Sequence, residues 1–262
     1  MSSARLQYSS RLDTKIEDEV RRMLTDYYMP GYQERVDGYV EMCLAIDNFT
    51  SRFDYVRSII GEKYFNSQAM TLVSGFGAGS EMILAGYFGL GKIYGVEVEQ
   101  ILVEATRKRL INYPHMYPVL YGGEVLPFES GVINIIFSGH VIEHTSHPAL
   151  YLHELMRVLT PGGFLFIEFP NRYYYIEQHT NLPSLEWLPR PIRNYLIRMI
   201  SSRYSPLSKK AKLRYDSIVS TNLQQISLSG IKKMLARTGY LTTIVNHTHA
   251  TLGIIRCIIR RN

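Results

Sequence analysis

The sequence predicts a doubly wound α/β fold with a mostly parallel sheet, and three observations support this fold class. Short apolar strands alternate with helical segments from residue 70 onward, as they do in successive βαβ units. A glycine-rich turn directly follows the first of these strands. The chain has 262 residues and is 46% hydrophobic, so it can build one large α/β core or two small ones.

The region 1–66 predicts a helical cap that precedes the sheet. Helical patterns cover 14–28 and about 36–49, and a third segment at 53–60 carries apolar residues on one helix face. We expect the first helix to end before Pro30, because proline removes a backbone donor from a helix interior.

The regions 67–170 and 227–262 predict the two parts of the sheet domain. In chain order, the predicted elements are a strand at 70–74, a strand at 92–96, a helix at 98–111, a strand at 133–138, a helix at 148–159, a strand at 164–169, a helix at 227–238, and β segments at 241–246 and 254–259. The last two segments are expected to pair as an antiparallel hairpin at the sheet edge. Between the two parts, 171–226 breaks the alternation and contains the only Trp, which predicts an inserted basic and aromatic lid.

The glycine turn and the end of the next strand together predict a nucleoside-containing cofactor. Gly75, Gly77 and Gly79 leave the backbone N–H groups of the turn open to a close ligand. Glu97 ends the following strand, where a carboxylate can accept hydrogen bonds from both hydroxyls of a ribose. A spacing of about 20 residues between turn and carboxylate also fits a nicotinamide dinucleotide, so an oxidoreductase is one alternative.

Six short motifs occur in order along the predicted sheet domain. They are Gly75-Phe76-Gly77-Ala78-Gly79, Gly95-Val96-Glu97, Glu124-Val125-Leu126-Pro127-Phe128, His140-Val141-Ile142-Glu143-His144, Arg157-Val158-Leu159-Thr160-Pro161-Gly162-Gly163 and Phe169-Pro170-Asn171-Arg172. In this order they resemble the class I S-adenosylmethionine-dependent methyltransferases. The resemblance implies a seven-stranded Rossmann-like sheet and S-adenosylmethionine as the cofactor. It also implies an enzyme that methylates a small-molecule, glycan or lipid-linked acceptor, with oxygen as the favoured atom.

The resemblance also implies which residues form the site. Those expected to contact the cofactor are Gly75, Phe76, Gly77, Gly79, Glu97, Val98, Glu124, Val125, Ser138 and His140. A hydroxyl acceptor needs a base, and His140, His144 and His179 are the candidates because histidine exchanges protons near neutral pH. Each histidine has an alternative interpretation, as a residue that braces a loop, contacts a ligand or is simply solvated. No metal site is predicted.

Three positions depart from the family pattern by losing an acidic residue. Val73, Gly122 and Asn134 stand where the family usually has a carboxylate. The first change removes a polar partner for the methionine end of the cofactor, although Glu81 lies just beyond the glycine turn. A catalytically degenerate binding or scaffold protein is therefore the second alternative.

The net charge of +6 is concentrated in the predicted lid. Residues 171–215 contain nine Lys or Arg and two Glu, a net +7, so the rest of the chain sums to −1. This distribution disfavours nucleic acid as a partner, because a basic groove is expected to track along a whole binding face.

One helical segment inside the lid has an apolar and a basic side. The apolar residues Ile192, Leu196, Met199 and Ile200 follow one helix face, and Arg193 lies off that face. We expect the apolar face to dock on the chain's own domain. Contact with an anionic membrane through 187–214 is the alternative.

The cysteine content and the first residues favour a cytoplasmic location. Only two cysteines occur, too few for a disulfide framework, and the N-terminal residues have no apolar signal segment. The expected localisation is therefore cytoplasmic, with peripheral attachment to a membrane as the variant. The oligomeric state is left open by the sequence.

Overall fold

The structure is a computed structural model that describes residues 14–32, 35–174, 176–177, 182–185, 187–201, 223–250 and 253–262. Its helices are α1 (Thr14–Tyr32), α2 (Val36–Leu44), α3 (Thr50–Ile60), α4 (Ser80–Tyr87), α5 (Gln100–Arg109), α6 (Pro148–Val158), α7 (Arg190–Ser201) and α8 (Leu228–Ala236). Its strands are β1 (Met70–Ser74), β2 (Lys92–Glu97), β3 (Met116–Leu120), β4 (Ile133–Gly139), β5 (Leu159–Pro170), β6 (Ile176–Glu177), β7 (Leu182–Pro183), β8 (Thr242–His249) and β9 (Ile254–Arg261). None of the described helices is long and apolar enough to cross a membrane.

Seven of the described strands form one sheet in the order β3-β2-β1-β4-β5-β9-β8. β1 pairs in parallel with β2, β2 pairs in parallel with β3, and β8 and β9 form the expected antiparallel hairpin at the end of the sheet. β3 is not predicted by the sequence pattern, because Pro118 interrupts its short apolar run. The strand order confirms the predicted doubly wound, mostly parallel α/β fold.

Two helices of the cap differ from the expectation. The predicted end of α1 before Pro30 is wrong, since the helix continues to Tyr32 with the proline inside it. Tyr28, in this last part, packs its ring edge-on against Tyr39 of α2, with ring centres 4.8 Å apart. The expected helix at about 36–49 is interrupted, because Ala45 takes an extended conformation after α2 and a separate 3-10 turn follows.

The chain divides into two compact units. The first contains Met1–Phe137 and Val158–Phe164, and the second contains Ser138–Arg157 and Leu165–Asn262. The four-part division predicted from composition and motifs stays a prediction. Each unit holds some of the predicted site residues, and each is described by itself below.

In the first unit, the helical cap packs against the glycine turn and the helix that follows β2. Val20 and Leu24 of α1, Val40 of α2 and Leu102 of α5 are buried in one apolar cluster, and this cluster includes Ala78 of the turn. Burying these side chains removes apolar surface from water, which is the main favourable contribution to such packing. The cap therefore contacts the turn directly.

In the second unit, the C-terminal hairpin is fastened to α6. Arg261 of β9 donates hydrogen bonds to the carbonyl oxygens of Met156 (3.0 Å) and Arg157 (3.2 Å), which lie in the last turn of that helix. Its guanidinium also lies 4.3 Å from the ring centre of Tyr240. A cation at a helix C-terminus satisfies carbonyl groups that have no partner within the helix.

Candidate active site

The glycine turn of the first unit presents backbone rather than side chains. Gly75, Gly77 and Gly79 have φ angles of 71°, 53° and 82°, a region that residues with a Cβ rarely adopt. A Cβ on Gly79 would also lie 2.7 Å from Cγ2 of Thr106, so packing excludes a side chain there. A Cβ on Gly77 would meet no atom within 4 Å, which leaves this side of the turn open to a ligand.

Glu97 lies at the end of β2 and is joined to the turn. Its Oε2 accepts a hydrogen bond from the backbone N–H of Gly77 (3.1 Å), and its Oε1 accepts one from Val98 (2.8 Å). Burial raises the pKa of this carboxyl, and hydrogen bonds from three backbone N–H groups, those of Val98, Gly77 and Glu99, oppose the rise. An ionised carboxylate accepts about four hydrogen bonds, so Glu97 can still accept a hydrogen bond from a ribose hydroxyl.

Apolar side chains beside Glu97 form the surface on which an adenine is expected to lie. Val98 is half exposed, and its Cγ1 would lie 3.4 Å from a Cβ placed on Gly123. The structure thus brings Val98 next to the segment of Glu124 and Val125, both of which are exposed. These three predicted cofactor contacts share one part of the unit with Glu97.

Phe76 has a different orientation from its neighbours in the turn. Its side chain is buried in the first unit and would meet a side chain placed on Gly95 of β2. Its carbonyl oxygen accepts a hydrogen bond from the N–H of Gly79 (2.8 Å). A contact between Phe76 and the cofactor therefore requires its backbone, and the ring acts as core packing behind the turn.

Two side chains of α5 hold the glycine turn from behind. Thr106 donates its hydroxyl hydrogen to the carbonyl oxygen of Gly77 (3.0 Å). Arg109 is buried and donates to the carbonyl oxygens of Ala78 (2.7 Å) and Leu44 (2.6 Å).

Arg109 also donates to the hydroxyl of Ser80 at 2.7 Å, so one guanidinium joins the turn, α4 and the end of α2. Burial lowers the pKa of Arg109 to about 10. Sequence reasoning missed this residue, because a basic residue in the last turn of a helix is ordinarily solvated and compensates the helix dipole.

Residues of the cap approach the same turn. The hydroxyl of Ser80 donates to the carbonyl oxygen of Cys43 at 2.6 Å. The Cys43 thiol is hydrogen-bonded to Tyr28, and burial raises the pKa of both groups. The negative charge of Glu97 makes a smaller contribution to the raised pKa of Tyr28.

Tyr121 is a further residue that the sequence analysis does not single out. Its N–H donates to the carbonyl oxygen of Glu97 (3.0 Å) just after β3. Burial raises the pKa of its hydroxyl to about 12, and the charge of Glu97 contributes. A tyrosine directly after a strand of the sheet edge is the signal that points to it.

Two of the unusual neutral positions have structural explanations. Asn134 is the second residue of β4, and its Oδ1 accepts a hydrogen bond from the N–H of Met70 at the start of β1 (2.8 Å). The amide keeps the acceptor that an aspartate would supply, and it lies at the strand end away from the glycine turn. Val73 is a buried core residue of β1, and Glu81 forms a buried ion pair with Arg52 at 3.0 Å.

A group of charged side chains occupies the second unit after β4. Nδ1 of His140 lies 3.2 Å from Oε1 of Glu143, and Nε2 lies 3.1 Å from Oε1 of Glu168. Arg256 of β9 donates to the other oxygen of Glu168 at 2.5 Å. Both carboxylates are almost completely buried, whereas the histidine side chain is 30% exposed.

His140 has a strained backbone. Its φ of 56° makes it the one residue other than glycine with positive φ in the described part of the chain. Its N–H donates to the carbonyl oxygen of Glu168 (2.8 Å). Such strain persists only where the surroundings hold it, and it is concentrated at functional sites.

The remaining predicted residues are placed less favourably. Ser138 is fully buried, and its hydroxyl is hydrogen-bonded to the hydroxyl of Tyr151 at 2.8 Å. His144 is exposed on a 3-10 turn, where its N–H donates to the carbonyl of Val141. His179 lies outside the described residues. Among the described residues, no group of three or more His, Cys, Asp or Glu is placed to hold a metal ion.

The fold and the glycine turn are typical of domains that bind a nucleoside-containing cofactor. A parallel sheet with a glycine turn after β1 and an acidic residue at the end of β2 is a nucleoside-cofactor domain. The opening over Gly77 and the remaining acceptor capacity of Glu97 fit an adenosine that places a ribose hydroxyl at this carboxylate. The half-exposed Val98 fits the adenine face.

Known proteins narrow this class to methyltransferases. A family model described as methyltransferase domain matches residues 72–167. A solved S-adenosylmethionine-dependent methyltransferase from Mesorhizobium loti superposes with a TM-score of 0.58 at 12% identity, covering 83% of this chain and 100% of that one. At this identity the likeness shows the fold.

Curated relatives also match by sequence, and the chain covers only part of each. The ubiquinone/menaquinone biosynthesis C-methyltransferase UbiE of Neisseria meningitidis is 27% identical over 128 residues, 48% of this chain and 51% of the relative. An uncharacterized 37.1 kDa protein in transposon TN4556 of Streptomyces fradiae is 36% identical over 81 residues, 31% of this chain and 24% of the relative. The chain therefore spans about half the length of these relatives or less.

Residues 72–167 are therefore similar to a methyltransferase domain. The fold predicted from the sequence is confirmed, and the match to a methyltransferase domain supports the predicted family, enzyme class and cofactor. The roles of individual site residues stay predictions.

Proposed function

We propose that this protein transfers the methyl group of S-adenosylmethionine to a hydroxyl oxygen of a small-molecule, glycan or lipid-linked acceptor. The observation that favours oxygen over the nitrogen of a neutral amine is the strained His140, held between Glu143 and Glu168 in the second unit. A hydroxyl must lose its proton as the new bond forms, whereas a neutral amine needs no such base. An imidazole oriented by a carboxylate is suited to this task.

Of the two contacts of His140, the one at Nε2 is the easier to give up. Glu168 keeps the guanidinium of Arg256 as a partner at 2.5 Å when the imidazole turns away. Glu143 is buried and its Oε2 has no hydrogen-bond partner, so losing the contact at Nδ1 would leave a buried carboxylate uncompensated. Once the contact with Glu168 is given up, the unprotonated Nε2 is the atom that accepts the acceptor's proton, and Glu143 orients the ring by accepting a hydrogen bond from Nδ1–H.

The first unit supplies cofactor binding. The backbone of Gly77 and its neighbours faces the amino acid and ribose portion, Glu97 accepts a hydrogen bond from a ribose hydroxyl, and Val98 lies against the adenine. S-adenosylmethionine brings a methyl group on a positively charged sulfur, so the protein contributes alignment and exclusion of water rather than activation. Thr106 and Arg109 keep the turn in its binding conformation.

The proposal is tested in two separate measurements. Calorimetric titration with S-adenosylmethionine should give binding that Glu97→Ala weakens at least tenfold, since the hydrogen bonding of the ribose to a charged group is lost. A folded protein that binds neither this cofactor nor its demethylated product would support the scaffold alternative instead. Titration with NAD in parallel tests the oxidoreductase alternative.

The second measurement identifies the acceptor atom. The protein is incubated with S-adenosylmethionine carrying a carbon-13 methyl group and with aqueous and lipid extracts, and the chemical shift of the transferred methyl distinguishes attachment to oxygen, nitrogen and carbon. With the purified acceptor, His140→Asn should lower kcat by about 10²-fold or more. The matched variant His144→Asn should leave kcat within about twofold, because that ring is exposed.

Methyl transfer to carbon is a second candidate. It is supported by the relatives named as C-methyltransferases of ubiquinone and menaquinone biosynthesis, at 27% identity over 48% of this chain. An aromatic carbon next to a hydroxyl also needs a base, so His140 would keep its role. A carbon-bound methyl signal in the labelling experiment would select this candidate.

A further inference from the structure

Helix α7 in the second unit buries a different side from the one expected. Arg193 and Ile197, one turn apart, are almost completely buried. Ile192 and Met199, expected to dock on the protein, are instead 51% and 54% exposed. The expectation that the full apolar face packs inward is therefore wrong for these two residues.

The exposed side of α7 carries a continuous apolar stripe. Ile192, Tyr195 and Met199 follow the spacing of a single helix face, and Tyr195 is 63% exposed. Trp187, just before the helix, is also half exposed, while its indole N–H is satisfied by the carbonyl of Ser184 at 3.0 Å. Single exposed apolar residues are ordinary, but four large ones along one short segment mark an interaction surface.

The charge around this stripe has one sign. α7 contains Arg190, Arg193 and Arg198 and no acidic residue, and the first and last of these are exposed. The surrounding sequence 171–215 carries nine basic and two acidic residues. A second copy of this face would bring like charges together, whereas an anionic surface complements them.

We propose that the stripe formed by Trp187, Ile192, Tyr195 and Met199 docks the protein on the surface of an anionic lipid bilayer. Twelve residues of helix span about 18 Å, enough to lie flat in the interface and too short to cross it. Tyr and Trp suit this position because their rings are apolar while their polar atoms stay near water. When the stripe is inserted into the bilayer surface, the exposed Arg198 beside it contacts lipid phosphates.

Vesicle flotation of the full chain tests the docking without using cofactor or turnover, so its result is independent of the proposed methyl transfer. The probes are vesicles of phosphatidylcholine alone and of phosphatidylcholine with about one third phosphatidylglycerol. The wild type should float with the anionic vesicles and not with the neutral ones. High salt should release it, because attraction between exposed charges is screened.

Variants locate the contact. Ile192→Ser combined with Met199→Ser should lower partitioning onto anionic vesicles about tenfold, and Arg198→Gln about fivefold. The controls are Ile111→Ser and Arg107→Gln in the first unit, whose side chains are similarly exposed, and both should partition as the wild type does.

Three outcomes would overturn the proposal. The first is wild-type protein that stays away from anionic vesicles. The second is binding that the α7 variants leave unchanged, which would assign it to another surface. The third is a dimer in light scattering that the double variant dissociates, which would assign the stripe to a second copy of the chain.

Discussion

Replacing Arg109 by Met should both destabilise the protein and weaken cofactor binding, because this buried guanidinium is what joins the glycine turn to the cap. Three acceptors lose a donor: the carbonyl oxygens of Ala78 and Leu44 and the hydroxyl of Ser80, at 2.6 to 2.7 Å. A buried acceptor left unsatisfied costs about 1 kcal/mol or more. The methionine fills most of the same volume, so no large cavity is added.

The net effect follows from two opposing contributions. Loss of the three hydrogen bonds costs about 3 kcal/mol in total. Removing a buried cation recovers part of this, since burial disfavours the charge strongly enough to lower the pKa of Arg109 to about 10. We therefore expect the free energy of unfolding to fall by about 2 kcal/mol, and S-adenosylmethionine to bind about tenfold more weakly because the turn is less ordered.

Urea denaturation and calorimetric titration measure the two effects. Arg109→Lys should fall between wild type and Arg109→Met, since an ammonium reaches fewer of the three acceptors. Arg107→Met, on the exposed side of the same helix, is the matched control and should change the unfolding free energy by less than about 0.5 kcal/mol. An Arg109→Met protein with wild-type stability and wild-type affinity would refute the reasoning.

Three further predictions concern the same unit and the C-terminal hairpin. The pKa of Glu97 is raised above the ordinary glutamate value of 4.5, and protonation lets this group accept fewer hydrogen bonds, so the affinity for S-adenosylmethionine should fall as the pH falls through that pKa. Calorimetric titrations between pH 4.5 and 8 check this, and a constant Kd would contradict it. Gly79→Ala should lower the free energy of unfolding by about 3 kcal/mol, because an alanine is strained at this positive φ and its Cβ would lie 2.7 Å from Thr106. Gly61→Ala has the same backbone strain but no neighbouring atom, so it should cost about 1 kcal/mol. Equal losses in urea denaturation would argue against a contribution from the clash with Thr106. The thiol of Cys257 should resist thiol reagents at pH 8 until the protein unfolds, because it is buried and its pKa is raised to about 12. Mass spectrometry of the reagent-treated protein checks this, and labelling of Cys257 in the folded protein would contradict it.

The cofactor half of the candidate site was predictable because its signals are local. The three glycines with positive φ lie within five consecutive residues, and Glu97 is the last residue of the strand that follows. Both the glycine turn and the acidic strand end can be recognised from neighbouring residues, without knowledge of distant parts of the chain. The sequence motifs therefore indicated the family as well as the elements around them.

The charged group in the second unit was only partly predictable. His140 and Glu143 belong to one motif, but their partners Glu168 and Arg256 come from β5 and β9. Glu168 has one sequence signal, an acidic residue inside the apolar strand from Leu159 to Pro170. Arg256 has none, because a basic residue on an edge hairpin is most often solvated.

By itself, the sequence determined most of the strands and helices, the glycine turn, the acidic residue at the end of β2 and the concentration of positive charge in 171–215. Only the tertiary structure decided which charges are buried and which apolar side chains stay in water. Arg109 donates a hydrogen bond to the carbonyl oxygen of Leu44, 65 residues earlier in the chain. In α7, Arg193 is buried and Ile192 is exposed. Periodicity shows that a helix has two faces, but the surface that packs against it decides which face is buried.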